Sequence, residues 1–335
     1  AKQSVAVVGS GAVGCYYGAR LWESGDYEVS FHMRGEHYVK SVETGLNVTS
    51  IHGDIFISPD KLKAHEDTNE MKTADWVVVC LKSSSLDAIP ELIAPLLDEN
   101  TRVLVIMNGL VEDDLIDAMN QDAKARGKDS VLHECAAIYG GMALICSNRL
   151  GPGRVDHSYA GLLSGGVAIS KGTPEDDKKA FLNLWEPTNV QVTYEDSLLR
   201  GRWRKCVWNL PFNGISTAMG GITVDLIVKD PGLRRLAESV MDETVAAANA
   251  DLALHGLSES AYLGDEDKRA MMQLSDDMGA YKTSTMLDLT QRKPMEVHYL
   301  FRRPVQRAEK LGIPVPHLET LVIQIEAMQR MYNLF

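Results

Sequence analysis

A glycine-rich turn near the start of the chain constrains the fold more than any other feature. Residues 9–14 read Gly-Ser-Gly-Ala-Val-Gly, after a β-branched run at 4–8 and at the start of a helical pattern at 12–23 that stops near Gly25. A GxGxxG pattern is weak evidence alone, but between a strand and a helix it is typical of a dinucleotide-binding unit. The sequence therefore predicts a Rossmann-type beginning.

Each residue of this turn has a predicted task. Gly9 permits the tight turn, Gly11 lets a pyrophosphate approach the backbone, and Gly14 lets the helix pack on the sheet. Ser10, Ala12 and Val13 complete the turn, and the free N–H groups of the helix N-terminus attract phosphate. The alternative is a glycine-rich turn that binds no ligand.

Strand and helix signals alternate through the first third of the chain. We predict strands at 4–8, 28–33, 76–81 and 102–107, two short extended segments within 45–57, and an amphipathic segment at 86–97. This alternation is typical of a parallel sheet covered on both faces. Strand-like pieces at 131–138, 142–146, 154–159 and 162–169, separated by glycine-rich turns, predict a partly antiparallel extension of that sheet.

Beyond residue 196 the strand signals stop. Helices are predicted at 202–209, 231–255, 265–278, 294–311 and 317–332. A chain of 335 residues is comfortable for two domains. The expected fold class is α/β: an N-terminal Rossmann-type dinucleotide-binding domain at 1–196, followed by an all-helical C-terminal domain at 197–335 that carries the catalytic and substrate-binding groups.

Composition excludes several classes of function. A formal net charge of −12 argues against a nucleic-acid partner. The apolar runs are only strand-length, so no membrane span is predicted, and a strand signal within the first residues leaves no room for a leader in this sequence. Five cysteines without a CxxC pair predict free thiols in a reducing cytoplasm. The nine histidines form no metal-binding motif, so no metal is expected.

The end of the second predicted strand distinguishes NAD from NADP. Arg34 stands there, twenty residues after Gly14, where a NAD site would place an acid. A guanidinium can bind a 2′-phosphate through paired hydrogen bonds, so NADP(H) is predicted. Glu36 argues against this assignment, and Arg34 could also be an ordinary surface arginine.

Two further residues follow predicted strands. Lys82 comes after the strand at 76–81 and could be a second phosphate-binding cation or a solvated lysine. Asn108 follows the strand at 102–107 and could reach the nicotinamide ribose or the substrate, or simply form an Asn-Gly turn.

Three polar residues recur at intervals of four in an otherwise apolar segment. Lys205, Asn209 and Asn213 would stack along one face of a helix, unless Pro211 kinks or ends that helix first. The stripe lines a cleft or forms a solvated face. A partly buried lysine near other cations has a lowered pKa and can act as a general acid.

Ser284 and Glu296 are separated by twelve residues, with Pro294 at the expected start of a helix. Taken alone, each is most simply a capping or surface residue.

Together these motifs resemble the ketopantoate reductase (2-dehydropantoate 2-reductase) family along nearly the whole chain. The resemblance is carried by VAVVGSGAVGCYYGARL at 5–21, Arg34, CLKS at 80–83, MNG at 107–109, WRKCVWN at 203–209, STMLDL at 284–289, KPME at 293–296 and EKLGIPVP at 309–316. It implies NADPH-dependent reduction of ketopantoate to pantoate, on the route to pantothenate and coenzyme A.

The resemblance also implies a role for each motif residue. Lys205 would protonate the ketone and Glu296 would hydrogen-bond the nascent hydroxyl. Asn209, Asn213 and Ser284 would hold the substrate, with Asn108 between nicotinamide and substrate. Arg34 and Lys82 would neutralise the 2′-phosphate, and residues 9–14 would hold the diphosphate.

The sequence departs from the family pattern after Glu296. Phe301 and Arg302 replace a small Asn-Gly pair, His298 is also changed, and Tyr281 stands where some members have an asparagine. Two alternatives therefore stay open: a reductase of a different 2-oxo or imino acid, and a non-catalytic NADP(H)-binding regulatory protein. A homodimer is also expected.

Overall fold

The chain divides into two compact units. The computed structural model describes residues 2–335. The first unit comprises Ala1–Met107 and Glu112–Leu198, and the second comprises Asn108–Val111 and Leu199–Phe335. The short stretch after residue 107 thus belongs with the C-terminal part of the chain.

One ten-stranded sheet forms the centre of the first unit. Its strands are β1 Gln3–Val8, β2 Tyr27–His32, β3 Leu46–Ser50, β4 Ile55–Ile57, β5 Lys63–His65, β6 Trp76–Val79, β7 Arg102–Ile106, β8 Ala137–Gly151, β9 Arg154–Ser170 and β10 Val192–Tyr194. The spatial order is β4-β3-β9-β8-β7-β6-β1-β2-β5, with β10 beside β9. Neighbours from β5 to β8 are all parallel, and β8–β9 and β3–β4 are antiparallel.

The strand order reverses between β1 and β6. The chain passes from β1 outwards to β2 and β5, and then returns to β6 on the other side of β1. Ligands of open α/β sheets bind at the carboxyl ends of the strands beside such a reversal. The last four residues of β1, Val5 to Val8, are fully buried, as in a sheet covered on both faces.

Helices of the first unit connect the parallel strands. They are α1 Ala12–Ser24, α2 Gly35–Thr44, α3 Ile89–Ile93, α4 Glu112–Ala125 and α5 Pro174–Trp185, with short 3₁₀ turns at Thr68–Glu70, Ser83–Ala88, Ala94–Leu96 and Val131–His133. The α1 helix ends at Gly25, which adopts the left-handed conformation, as the sequence predicted.

The second unit is helical. Its helices are α6 Leu198–Ala218, α7 Val224–Lys229, α8 Pro231–Leu254, α9 Asp265–Asp277, α10 Ser284–Thr290, α11 Arg303–Lys310 and α12 Pro316–Tyr332, with a 3₁₀ turn at Glu259–Ala261 and a π-helical turn at His298–Arg302. A separate apolar core contains α6 residues such as Trp203, Leu210 and Phe212. In residues 2–335 no helix is long and apolar enough to cross a bilayer.

The α/β fold class is confirmed, but four local predictions were wrong or incomplete. The glycine-rich turns expected near 139–141 and 160–161 lie inside the continuous strands β8 and β9. Register shifts, including one at Leu144/Ile145, absorb these residues, and Ala160 and Gly161 have positive φ angles there. A two-stranded hairpin can accommodate such bulges without ending.

Pro211 does not end its helix either. The α6 helix continues to Ala218, because Leu210, Phe212 and Ile215 around the proline are fully buried and fix that segment. The helix predicted from Pro294 begins only with the π-helical turn at His298. The helices α2, α4, α5, α7 and α10 were not predicted, although α5 begins with a recognisable Thr173 cap and Pro174.

Candidate active site

Two glycines of the turn at 9–14 are required by close approach. Gly9 has a φ of 85°, and a Cβ atom there would lie 2.6 Å from Leu81 Cδ2. A Cβ atom on Gly14 would lie 2.4 Å from the Gly9 carbonyl oxygen. The turn is thus pressed between α1 and the segment after β6, at the reversal of strand order.

The third glycine of the turn, Gly11, lies beside open space. Gly11 is the N-cap of α1 and supplies no capping side chain, and a Cβ atom there would meet nothing within 4 Å. The first turn of α1 contains no acidic residue. Its unpaired N–H groups, including those of Ala12 and Val13, can therefore bind an anion that approaches the open side.

Ser10 adds a polar group to this turn. The side chain is 5% exposed, and its hydroxyl has no hydrogen-bond partner within the described residues. A buried hydroxyl of this kind usually has a partner, so the site fits a ligand that bears hydrogen-bonding groups. The donor set therefore suits a phosphate-bearing dinucleotide.

Arg34 lies two residues after the end of β2 and is the N-cap of α2. It is exposed, and among residues 2–335 its guanidinium has no hydrogen bond or ion pair. Glu36 lies in the first turn of α2, and within residues 2–335 it forms no ion pair with Arg34. Lys82 is also exposed and precedes the 3₁₀ turn that follows β6.

Asn108 is held through its neighbours in the second unit. The Leu110 N–H donates to the Tyr299 carbonyl oxygen at 3.1 Å. A Cβ atom on Gly109 would lie 2.4 Å from the same oxygen, so only glycine fits there. Asn108 itself is partly buried.

Lys205 lies on α6, whose tryptophans anchor it on two sides. The Trp203 indole donates to Asp251 of α8 at 2.8 Å, and the Trp208 indole donates to Ser275 of α9 at 3.0 Å. Burial and, after it, the nearby Arg202 charge together lower the pKa of Lys205 to about 8. The ammonium can therefore release a proton near neutral pH.

Arg202 was not singled out from the sequence. It precedes Lys205 by three residues, so helical spacing places both side chains on adjoining turns of one face. That spacing was the available signal.

The two asparagines of the stripe are buried, so it is not a solvated face. Asn209 is 5% exposed and Asn213 is 2% exposed. The Asn213 side chain donates to Asn209 Oδ1 at 3.3 Å. Its own Oδ1 accepts from the Ser284 hydroxyl at 3.3 Å and from the Thr285 N–H at 3.2 Å. The structure thus brings three of the predicted residues into one hydrogen-bonded row.

Glu296 lies in the extended segment between α10 and the π-helical turn. It is partly buried, between the buried neighbours Met295 and Val297. The Met295 N–H donates to the Leu334 carbonyl oxygen at 3.0 Å, which fixes this segment.

The departures from the family pattern have structural roles. Phe301 is fully buried in the core of the second unit. Arg302 makes two 2.7 Å hydrogen bonds to Glu326 of α12. His298 is exposed and stacks edge-on against Tyr299. Bulk at 301 and charge at 302 therefore serve packing and pairing within this unit.

The described residues contain no cluster that could hold a metal ion. All five cysteines are free, and burial raises the pKa of the Cys15 thiol to about 12. Cys15 is therefore a protonated thiol and not a nucleophile.

Known proteins match this chain along most of its length. The family model for ketopantoate reductase PanE/ApbA matches residues 5–168, and the model for its C-terminal part matches residues 197–329. A 2-dehydropantoate 2-reductase from a Nostoc species is 30% identical, over 97% of this chain and 95% of that protein.

Solved structures extend the comparison. The 2-dehydropantoate 2-reductase from Geobacter metallireducens is 33% identical, with a TM-score of 0.83 over 97% of this chain and 99% of that one. A D-mandelate dehydrogenase solved with NADH and anilino(oxo)acetate is 20% identical, with a TM-score of 0.81 over 98% and 99% of the two chains, and shares the fold. The resemblance read from the sequence is thus confirmed: the chain belongs to the ketopantoate reductase PanE/ApbA family of oxidoreductases.

Proposed function

We propose that this chain reduces ketopantoate to pantoate with NADPH, and that Lys205 is the general acid. The observation that carries the proposal is a partly buried lysine with a pKa of about 8, one helical turn from a row of hydrogen-bonded amides. The division into a cofactor-binding part at 1–196 and a catalytic part at 197–335 belongs to the same proposal.

Residues of the first unit would hold the cofactor. The α1 N-terminus suits the diphosphate, and the cations Arg34 and Lys82, with the Ser10 hydroxyl, suit the 2′-phosphate. Asn108 would lie against the nicotinamide side. When bound, the nicotinamide supplies the hydride.

Lys205 would donate its proton to the ketone oxygen as that oxygen gains negative charge. With a pKa of about 8 the side chain is mostly protonated at neutral pH, yet its proton is held less tightly than that of an exposed lysine. Before transfer, the ammonium also stabilises the charge that develops on the oxygen.

The polar row would bind and orient the substrate. The Asn209 side-chain N–H₂ donates to no group within the described residues, whereas its Oδ1 is fixed by Asn213. This orientation leaves a donor for a substrate oxygen. Ser284 is held by the same row, and Glu296 would accept from the hydroxyl that forms.

The test is an NADPH-oxidation assay with ketopantoate. Lys205→Ala is expected to leave NADPH affinity unchanged and to lower turnover by a factor of about 10² or more, the usual contribution of a positioned acid. Lys310→Ala removes an equal charge from an exposed position at the end of α11 and serves as the matched control. A Lys205→Ala enzyme with most of its turnover would remove this residue from the acid role.

A second candidate function is reduction of a bulkier 2-oxo acid on the same fold. It is favoured by the departures from the family pattern at Tyr281 and His298, since Phe301 and Arg302 are fixed by packing and by Glu326. Comparing kcat/KM for ketopantoate with that for an aromatic 2-oxo acid separates the two. NADPH binding without reduction of any 2-oxo acid would instead favour a regulatory protein.

We also expect a homodimer, which light scattering on the purified protein would test.

A further inference from the structure

The β8–β9 hairpin contacts the first turns of both α1 and α2. The Ser147 hydroxyl, near the end of β8, donates to the Ala12 carbonyl oxygen of α1 at 3.2 Å. The Gly153 N–H, in the hairpin turn, donates to His37 Nδ1 of α2 at 3.0 Å. Arg149 lies between these two contacts in the chain, so its backbone is anchored beside both helix N-termini.

Arg149 has the properties of a ligand-binding cation. It is exposed, and it has no hydrogen bond or ion pair with any residue from 2 to 335. Burial lowers the pKa of His37, and the charge of Arg149 lowers it further. The positive charge of Arg149 thus acts on His37 in the first turn of α2, and within residues 2–335 Arg149 forms no ion pair with an acid.

A chain of contacts connects this region to the glycine turn. His37 Nε2 lies 3.5 Å from Cys15 Sγ, and that thiol donates to the Ser10 carbonyl oxygen at 3.3 Å. On its other side, the Ser10 N–H donates to the His32 carbonyl oxygen at 3.2 Å. Ser10, with its unpartnered hydroxyl, therefore lies between His37, near Arg149, and His32.

Arg34 is on the His32 side. It lies two residues after the end of β2 and lowers the pKa of His32 through its charge, after the larger effect of burial. Contacts thus connect Ser10 with His32, where the Arg34 charge acts, and through Cys15 with His37, where the Arg149 charge acts. Two cations and one free hydroxyl match the oxygens of a phosphate monoester better than they match a neutral ribose.

We infer that Arg149, from the β8–β9 hairpin, binds the 2′-phosphate of NADPH together with Arg34 and the Ser10 hydroxyl, and so determines preference for NADPH over NADH. This inference rests on the function proposed above. It adds a specificity residue that lies more than a hundred residues from the glycine motif in the sequence.

The experiment measures the Kd of NADPH and of NADH by fluorescence titration for the wild type and for Arg149→Gln. Charge-assisted hydrogen bonds to phosphate are strong, so we expect the Kd of NADPH to rise about tenfold or more. The Kd of NADH, which lacks that phosphate, is expected to change less than about twofold. The Kd of adenosine 2′-monophosphate, which carries the same phosphate, should rise by a similar factor in Arg149→Gln.

Arg154→Gln is the matched control. Arg154 is exposed on the same hairpin, but it starts β9 and pairs across the sheet with Asn47 of β3. It removes the same charge, so a general electrostatic effect would weaken NADPH binding in both variants, and this result would overturn the inference. Equal weakening of NADPH and NADH by Arg149→Gln, or no weakening at all, would overturn it as well.

Failure of the proposed function would look different. A wild-type protein that binds neither dinucleotide, or that reduces no 2-oxo acid, refutes the proposed function. A wild type that binds NADPH and turns over, with an Arg149→Gln variant of unchanged cofactor preference, refutes the role of Arg149 alone.

Discussion

The pH dependence of turnover tests Lys205 most directly. Because a general acid must carry its proton, turnover is expected to be constant below pH about 7 and to fall tenfold per pH unit above its pKa, which is about 8 in the structure. A lysine with the ordinary pKa of about 10.4 would instead keep turnover constant to about pH 10.

Replacing Arg202 should shift the falling limb of this pH profile, the range above the Lys205 pKa in which turnover decreases. Burial is the larger cause of the lowered Lys205 pKa, and the Arg202 charge lowers it by less than burial does. We expect Arg202→Gln to move the limb upwards by ~0.5–1 pH unit. Arg204→Gln is the control, because the Arg204 side chain is 43% exposed and pairs with Asp267.

The assay is the initial rate of NADPH oxidation at saturating substrate, from pH ~6 to ~10.5. Circular dichroism checks the fold of Arg202→Gln, because Arg202 is buried. Lys205→Arg, which stays charged throughout, should retain a low activity without the limb near pH 8. A wild-type profile that is flat to pH ~10, or a limb that persists in Lys205→Arg, would refute the reasoning.

Three further predictions concern the cofactor turn and stability. Gly14→Ala should lower the free energy of unfolding by about 1–3 kcal/mol, because its Cβ would meet a backbone oxygen at 2.4 Å. Gly11→Ala, whose Cβ would meet nothing within 4 Å, should keep the wild-type Tm and lose NADPH affinity. Equal melting temperatures of the two variants in thermal denaturation would contradict this. Arg302→Met should cost about 1–2 kcal/mol at neutral pH, and because Arg302 holds the pKa of Glu326 below its usual 4.5, the difference from wild type should vanish as the pH falls through that lowered pKa, as measured by urea unfolding. Burial, and then the His52 charge, lower the pKa of His157 below 6.5, so the unfolded chain takes up the proton first and stability should fall as the pH drops below 6.5; His157→Gln should flatten that slope in thermal scans, and an unchanged slope would count against it.

The parts that the sequence predicted are those set by local chemistry. The turn at 9–14 is recognisable from the sequence because only glycine fits at positions 9 and 14, so the fold requires the glycine pattern itself. The Val-rich runs of β1 and β6 predict strands covered on both faces. The spacing of Lys205, Asn209 and Asn213 predicts a shared helix face, because four residues are about one helical turn.

Other features were decided only by tertiary structure. The helix α6 passes through Pro211 because its buried neighbours outweigh the lost hydrogen bond, and no local rule contains that packing. From the sequence, Phe301 and Arg302 suggest a changed substrate pocket. In the structure Phe301 packs in the core of the second unit, and Arg302 pairs with Glu326 of α12.

The same holds for the polar groups whose partners are distant in sequence. Nothing near Asn213 in the chain shows that it accepts from Ser284 and Thr285, or that the β8–β9 hairpin contacts the first turns of α1 and α2. Sequence determines which groups are available and how they are spaced along one element. The fold determines which of them lose water and meet, and the pKa of Lys205 is set by that burial.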